Sequence, residues 1–430
     1  MVSIKINGGN KIQGEVLISG AKNSSMPIII ASTLTSELVV LNNVPHVSDV
    51  TTLLSLLIGA STKLSVIGGG FLAKTLKLQT QKINFENEVG LEASKIRTSV
   101  LLIGPALARN GYVKLLKPGG CDIGERKIDF HIQGMKAFGA EVLESEHYIE
   151  LTTHGKKLKG TTIEMSGISV GATQNLLMAA TLAEGETVIK NAAIEPEIED
   201  LITFLNKMGA KIKQEEGRVL RISGVEKLNG CTHEIIPDRI EAITYGMLSC
   251  ATGGEILLKN VSRKYLGGGL ETLEKIGIFF EDVESEYAFG SVRCHLKAGN
   301  IKPIEVETEA FPGFATDLQP QLSVLLLLAG GVSKITENIF ENRFQHIVYL
   351  QKMGANITFE GKKTIVINSS QSLNGATVEG TDLRACAALI MAGLLAKGET
   401  ILKNAESVDR GYYKFVKNIA NCGGEILRIN

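Results

Sequence analysis

Six times along the chain an amphipathic stretch runs into a small glycine turn and then an alternating strand: Ile58-Gly-Ala60, Phe138-Gly-Ala140, Met208-Gly-Ala210, Ile276-Gly-Ile278, Met353-Gly-Ala355 and Cys422-Gly-Gly424. Taken from Gly59, Gly139, Gly209, Gly277, Gly354 and Gly423, the intervals are 80, 70, 68, 77 and 69 residues. A second landmark keeps the same pace, as in Leu-Ala-Glu-Gly-Glu-Thr-Val-Ile-Lys-Asn (182–191) and Leu-Ala-Lys-Gly-Glu-Thr-Ile-Leu-Lys-Asn (395–404). In each copy an apolar helix ends at glycine or a polar substitute, and the periodicity switches from 3.6 to 2. A repeat of this kind constrains the fold more than any single motif, because each unit must bury its apolar face against its neighbours.

Each unit reads as strand, apolar helix, strand, amphipathic helix, strands. The first helices are apolar nearly all round, for example Met26 to Leu34, Leu176 to Leu182 and Leu322 to Ala329, so they belong inside with the sheets outside. The expected class is α/β, with six units of about 70 residues arranged as two groups of three. A boundary near 235 gives one domain of residues 22–235 and a second of 1–21 plus 236–430, the N-terminal strand completing the second. With 430 residues and 44% apolar content, two large cores are affordable in size.

The charge balance is even, 45 Lys plus Arg against 46 Asp plus Glu, which argues against nucleic acid as a partner. The start of the chain shows no basic region followed by an apolar one, and apolar runs such as Val324 to Ala329 are far short of the roughly 20 residues that cross a bilayer. A cytoplasmic protein without membrane insertion is expected. The six cysteines have no C-x-x-C spacing, so neither a metal site nor a disulfide framework is suggested, and most are expected to be small core residues.

The starts of the first helices carry Lys22-Asn-Ser-Ser-Met-Pro27, Ser94-Lys-Ile-Arg97, Ser169-Val-Gly-Ala-Thr173, Asp238-Arg-Ile-Glu241, Thr316-Asp-Leu-Gln319 and Thr381-Asp-Leu-Arg384. Capping by Asn23 or Ser24, by the box Asp238-x-x-Glu241, and by Ser or Thr elsewhere explains much of this. It does not explain Lys22, Arg97 and Arg384. A cation beside a positive helix terminus is unfavourable unless an anion lies between them, so these residues point to a negatively charged ligand. The second helices repeat the theme with Arg126, Arg343 and Arg410, whose planar forks suit carboxylate and phosphate. The segment Lys117-Pro-Gly-Gly-Cys-Asp-Ile-Gly-Glu-Arg-Lys127 reads as a mobile lid, with Cys121 held among cations that favour its thiolate. Gly68-Gly-Gly70 and Gly267-Gly-Gly269 lack nucleotide-loop spacings and read as turns.

Taken in order, Lys22-Asn23, Pro118-Gly-Gly-Cys-Asp-Ile-Gly-x-Arg126, Asp129-x-His131, Ser169-Val-Gly-Ala-Thr173, Asn191-Ala-Ala-x-Glu-Pro-Glu-Ile198, Pro237-Asp-Arg-Ile-Glu241, Thr316-Asp-x-Gln319, Phe340-Glu-Asn-Arg-Phe344, Thr381-Asp-Leu-Arg-Ala385 and Asp409-Arg-Gly-Tyr412 resemble the UDP-N-acetylglucosamine 1-carboxyvinyltransferases. The resemblance covers essentially the whole chain. It implies a two-domain inside-out α/β barrel with the active site in the cleft between the domains. It also implies transfer of enolpyruvyl from phosphoenolpyruvate to the 3'-hydroxyl of UDP-N-acetylglucosamine with release of phosphate, in peptidoglycan synthesis, without metal or cofactor.

By that resemblance Lys22, Arg126 and Arg410 would hold phosphoenolpyruvate, with Arg97 and Arg384 shaping the same field. Asp317 would accept the sugar hydroxyl's proton. Cys121 would act as proton donor or product-release group and as the target of fosfomycin. Asn23 would touch the sugar, and Ser169, Val170, Gly171, Ile339 and Arg343 would line the UDP-sugar site. The chain departs from the family pattern at Gly167, where Lys is common near the diphosphate, and at Lys127 and Ala315, where Pro is common. Gly167 leaves open a different acceptor for the same enolpyruvyl transfer. A non-catalytic binding paralogue is the remaining alternative, disfavoured by Cys121, Asp317 and Arg410 together.

Overall fold

The computed structural model of the protein describes residues 2–68, 74–84, 94–117, 119, 123–124, 127–144, 147–297, 300–370 and 372–429. The chain divides into two units, one of Gly20–Gly120 and Arg126–Ile236, the other of Met1–Ser19, Cys121–Glu125 and Pro237–Asn430. Among the described residues each unit contains three small sheets. The repeat seen in the sequence is therefore a structural one.

In the first of these units the buried helices are Lys22–Ala31, Ile103–Asn110 with the 3₁₀ turn Arg97–Leu102 before it, and Val170–Ala180. Ile103–Asn110 packs against Val170–Ala180, and Lys22–Ala31 against the Arg97–Leu102 turn. Ser24 through Ala31 and Ala172 through Ala180 are all buried, which accounts for their lack of a polar face. In the other unit the equivalents are Arg239–Ala251, Gln319–Leu325 and Leu383–Leu395, with Gln319–Leu325 packed against both others. Every residue of Arg239–Ala251 is buried. At Gly246 a Cβ would stand 2.6 Å from the Phe280 ring and 2.8 Å from the Cys294 sulfur. Neither neighbour has room to retreat in a close-packed interior, so the sequence needs glycine there.

The strands alternate buried and exposed residues, as in Val219–Ser223 and Glu399–Lys403, so one face of each sheet covers the helices. Within a unit the second helices are the amphipathic ones. Pro196–Lys207, for instance, buries Ile198, Leu201, Phe204 and Leu205. Among the described residues five sheets contain a parallel pair built around a buried helix: Thr162–Glu164 with Glu186–Lys190, Glu305–Glu307 with Ser333–Thr336, and Thr377–Glu379 with Glu399–Lys403 are simple crossovers. The other two pairs are exchanged. Gly14–Leu17 precedes the Lys22–Ala31 helix yet pairs with Ile256–Lys259, while Thr232–Glu234 precedes the Arg239–Ala251 helix yet pairs with Val39–Val44. Ser3–Asn7 lies between Glu399–Lys403 and Glu425–Ile429, antiparallel to both.

Local expectations are corrected at several helix starts, among them the Arg97–Leu102 and Thr316–Leu318 turns, which follow Ile96 and Ala315 with no side-chain cap. Helix Lys22–Ala31 is not capped by Asn23 or Ser24. It begins earlier, at Lys22, with Ala21 before it and no side-chain cap, and the Ser24 hydroxyl instead donates to the buried Asp200 carboxylate. Helix Leu383–Leu395 is capped by Asp382 rather than Thr381, accepting from the Arg384 and Ala385 amides at 2.9 and 3.2 Å. An ionised acceptor makes the stronger bond. Ser169 and Asp238 cap as expected, to Ala172 and to Ile240 and Glu241, although Glu241 does not return the bond that a capping box requires. Gly267-Gly-Gly269 joins two short helices, Arg263–Leu266 and Gly269–Lys275. Cys250, Cys294, Cys386 and Cys422 are buried and Cys231 half-buried. Among the described residues no helix is long and apolar enough to cross a membrane.

Candidate active site

The residues singled out in the sequence fall on the starts of the buried helices and on the turns beside them, and each unit presents its own set. In the unit of Gly20–Gly120 and Arg126–Ile236, Lys22 opens its helix with Nζ 2.6 Å from Asp49 Oδ2, both side chains largely buried. Asp49 lies in the first turn of helix Ser48–Gly59, a position that the sequence presents only as a favourable dipole partner. Asn23 is exposed beside Lys22. Arg97 opens its 3₁₀ turn and donates from Nη2 to the Lys127 carbonyl at 3.2 Å, so Lys127 supports the arginine through its backbone. Cys121 and Arg126 lie outside the described residues.

The Ser169–Gly171 start of helix Val170–Ala180 adjoins a buried histidine. Asn175 is held by two backbone groups, accepting from the Gly104 amide at 2.7 Å and donating to the Val100 carbonyl at 3.1 Å. It also faces His131 Nδ1 at 2.9 Å through its amide nitrogen. Nδ1 therefore accepts, and the proton of the neutral ring sits on Nε2. Burial, with Arg97 adding to it, lowers the His131 pKa to about 3, so the ring is neutral at physiological pH. A Cβ at Gly171 would be 3.4 Å from Nε2. The helix start thus places first-turn amides beside an imidazole N–H, a neutral donor set suited to an anion. Gly167 lies nearby, with a Cβ position 3.4 Å from the Phe130 ring.

In the unit containing Pro237–Asn430, Asp317 gathers two arginines. Arg343 Nη2 donates to Oδ1 at 2.8 Å and Arg384 Nη2 to Oδ2 at 2.9 Å. The guanidinium side chains are 3% and 4% exposed while the carboxylate is 27% exposed, so Asp317 is the accessible member of the triad. Arg384 lies over the Tyr412 ring at 5.1 Å, and Tyr412 Oη is held by Gln321 Nε2 at 3.0 Å and Thr244 Oγ1 at 3.1 Å. Burial opposes the Arg384 charge, but Tyr412, Asp317 and Asp238 outweigh it and leave the guanidinium above its ordinary range.

Arg410 ends the turn Ala405–Arg410, which packs against helix Leu383–Leu395. Gly411 follows, where a Cβ would meet Leu383 at 2.6 Å, so glycine is what allows that turn to lie against the helix start carrying Arg384. Ile339 is exposed, its amide donating to Glu337 Oε1 at 2.8 Å. Ala315 supports the Thr316–Leu318 turn by accepting from the Leu318 amide at 2.9 Å. Sequence reasoning missed Asp49 and Glu337, both of which read as ordinary helix-start or strand-end acids. No group of His, Cys, Asp and Glu suited to a metal occurs among the described residues.

The counter-charges also amend the sequence argument. Lys22 and Arg384 are balanced by Asp49 and Asp317 of the protein itself, so their placement at helix starts does not by itself require a bound anion.

Comparison with known proteins gives concordant results. The family model described as EPSP synthase (3-phosphoshikimate 1-carboxyvinyltransferase) matches residues 6–419. The chain is 42% identical over 430 residues to the UDP-N-acetylglucosamine 1-carboxyvinyltransferase 2 of Carboxydothermus hydrogenoformans, covering 100% of both chains. It is 43% identical over 425 residues to the UDP-N-acetylglucosamine 1-carboxyvinyltransferase of Gluconobacter oxydans, covering 99% of each. Among solved structures the enolpyruvyl transferase NikO from Streptomyces tendae shares the fold, with a TM-score of 0.89 at 23% identity, covering 100% of this chain and 99% of that one.

Proposed function

Since the chain belongs to the EPSP synthase family, and within it to the UDP-N-acetylglucosamine 1-carboxyvinyltransferases, we infer that it transfers the enolpyruvyl group of phosphoenolpyruvate to the 3'-hydroxyl of UDP-N-acetylglucosamine. Phosphate is released, and the product enters peptidoglycan synthesis, hence cell-wall growth and division. The reaction is addition followed by elimination. The sugar oxygen bonds to the central carbon of phosphoenolpyruvate while the methylene gains a proton. The C–O bond to phosphate then breaks as the methylene loses a proton, restoring the double bond.

The observation that carries the assignment is Asp317, a partly exposed carboxylate anchored through one oxygen each to two buried guanidiniums. The two anchoring bonds fix the direction of this partly exposed carboxylate, and a carboxylate oxygen is an acceptor for the hydroxyl proton, which is what general-base catalysis requires. In this reading Lys22, Arg126 and Arg410 hold the phosphate and carboxylate of phosphoenolpyruvate, with Arg97 and Arg384 shaping the same field. Cys121 serves as proton donor or release group. Asn23, Ser169, Val170, Gly171, Ile339 and Arg343 hold the nucleotide sugar, and the neutral His131 N–H beside Gly171 supports them. Soluble polyanionic substrates fit a cytoplasmic enzyme.

The test is phosphate release from phosphoenolpyruvate with a panel of nucleotide sugars. UDP-N-acetylglucosamine should be the preferred acceptor. Absence of release with it would refute the reading, and release only with another nucleotide sugar would reassign the acceptor.

A further inference from the structure

Glu337 follows strand Ser333–Thr336, is 2% exposed, and its carboxylate faces four neutral donors. Oε1 accepts from Thr308 Oγ1 at 2.8 Å, from the Ile339 amide at 2.8 Å and from the Phe340 amide at 3.0 Å. Oε2 accepts from Thr316 Oγ1 at 2.9 Å. Its own amide donates to the Lys363 carbonyl at 2.8 Å, and Thr308 Oγ1 accepts in turn from the Asn338 amide at 2.9 Å. A buried charge is costly unless its hydrogen bonds are complete. The four donors therefore hold three segments in one arrangement: the end of strand Glu305–Glu307, the Thr316–Leu318 turn and the Ile339–Phe340 turn.

Those segments are the ones that carry the acceptor chemistry. Thr316 precedes Asp317, and the Ile339–Phe340 turn leads into Arg343, whose guanidinium returns to Asp317 at 2.8 Å. Glu337 thus fixes the carboxylate from its own backbone and fixes the arginine that orients it. We propose that Glu337 is the positioning residue for the acceptor end of the site, setting the direction of Asp317 through Thr316 and the placement of the Ile339–Arg343 face through two backbone amides. The proposal rests on the reading of Asp317 as the base acting on the nucleotide sugar.

The test compares Glu337→Ala, Glu337→Gln and Thr316→Val with the wild type in steady-state kinetics and amide hydrogen exchange. In Glu337→Ala the Ile339 and Phe340 amides lose their acceptor and exchange faster, kcat falls, and KM for UDP-N-acetylglucosamine rises. The combined loss in kcat/KM for that substrate should be about tenfold to a hundredfold, the value of one or two charge-assisted hydrogen bonds, while KM for phosphoenolpyruvate stays within about twofold, less than a hydrogen bond's worth. Glu337→Gln keeps an oxygen for three donors and presents an amide that the Thr316 hydroxyl can accept from, so it recovers most of the activity. Thr316→Val releases the Asp317 turn alone and lowers kcat with little change in either KM, which carries the test even if Glu337→Ala folds poorly.

Wild-type constants in Glu337→Ala and Thr316→Val, or an equal rise in both KM values, would overturn the role of Glu337 while leaving the proposed function intact. A wild type that turns over no UDP-N-acetylglucosamine would overturn the proposed function and this role with it, and the exchange rates would still report whether the clamp exists.

Discussion

Glu241 offers a sharp test of how this interior handles charge. Its side chain is completely buried in helix Arg239–Ala251. Oε2 accepts from the Ser19 amide at 3.0 Å and hydroxyl at 2.6 Å, while Oε1 is buried without a protein partner. Burial, followed by the nearby Asp238 carboxylate, pushes its pKa up from 4.5 to about 8 against the pull of the Ser19 bonds.

The folded protein therefore binds this proton more tightly than the unfolded chain does. The stability it supplies is complete below 4.5 and is lost as pH rises toward about 8. With about 1.36 kcal/mol for each tenfold change in proton affinity, the loss amounts to about 5 kcal/mol, an upper bound because relaxation around a buried charge reduces its cost. Glu241→Gln keeps an acceptor for Ser19 and has no charge to bury. It should match the wild type at low pH and exceed it increasingly through the window. The chain has no Trp, so urea unfolding is best followed by far-UV circular dichroism, from about pH 5 to about pH 9, across which linkage gives the slope. Parallel stability curves for the two proteins would refute the argument.

Two further outcomes are expected. The His131 ring should show no titration in its NMR signals near neutral pH, since burial and Arg97 hold it neutral to about 3; what it adds to stability is complete above 6.5 and lost as pH falls toward about 3, and a midpoint near 6.5 would contradict this. Fosfomycin should inactivate the wild type by adding its mass to the protein at Cys121, and Cys121→Asp should resist. Undiminished inactivation of that variant would remove the thiol from the proposed mechanism.

The sequence carried the repeat because each unit must end its apolar helix at a turn glycine, and that requirement recurs wherever the helix is buried. It also carried the buried character of Lys22–Ala31, Val170–Ala180 and Arg239–Ala251, since a helix without a polar face has no stable place at a surface. What it could not carry was pairing. Gly14–Leu17 joins Ile256–Lys259 and Thr232–Glu234 joins Val39–Val44, an exchange of partners across more than 190 residues in each case. Either partner satisfies the same alternation and the same right-handed crossover, so local pattern has no preference between them.

The same limit applied to charge. A cation at a helix start is visible in the sequence, and its counterion is not. Asp317, Arg343 and Arg384 come from two turns and a helix start separated by 26 and 41 residues, and only folding brings one carboxylate between two buried guanidiniums. Asp49 and Glu337 read as ordinary acids for the same reason. Residue type and spacing determined which groups could do anion chemistry; the tertiary structure decided which of them neutralise one another and which one, Asp317, is left facing outward.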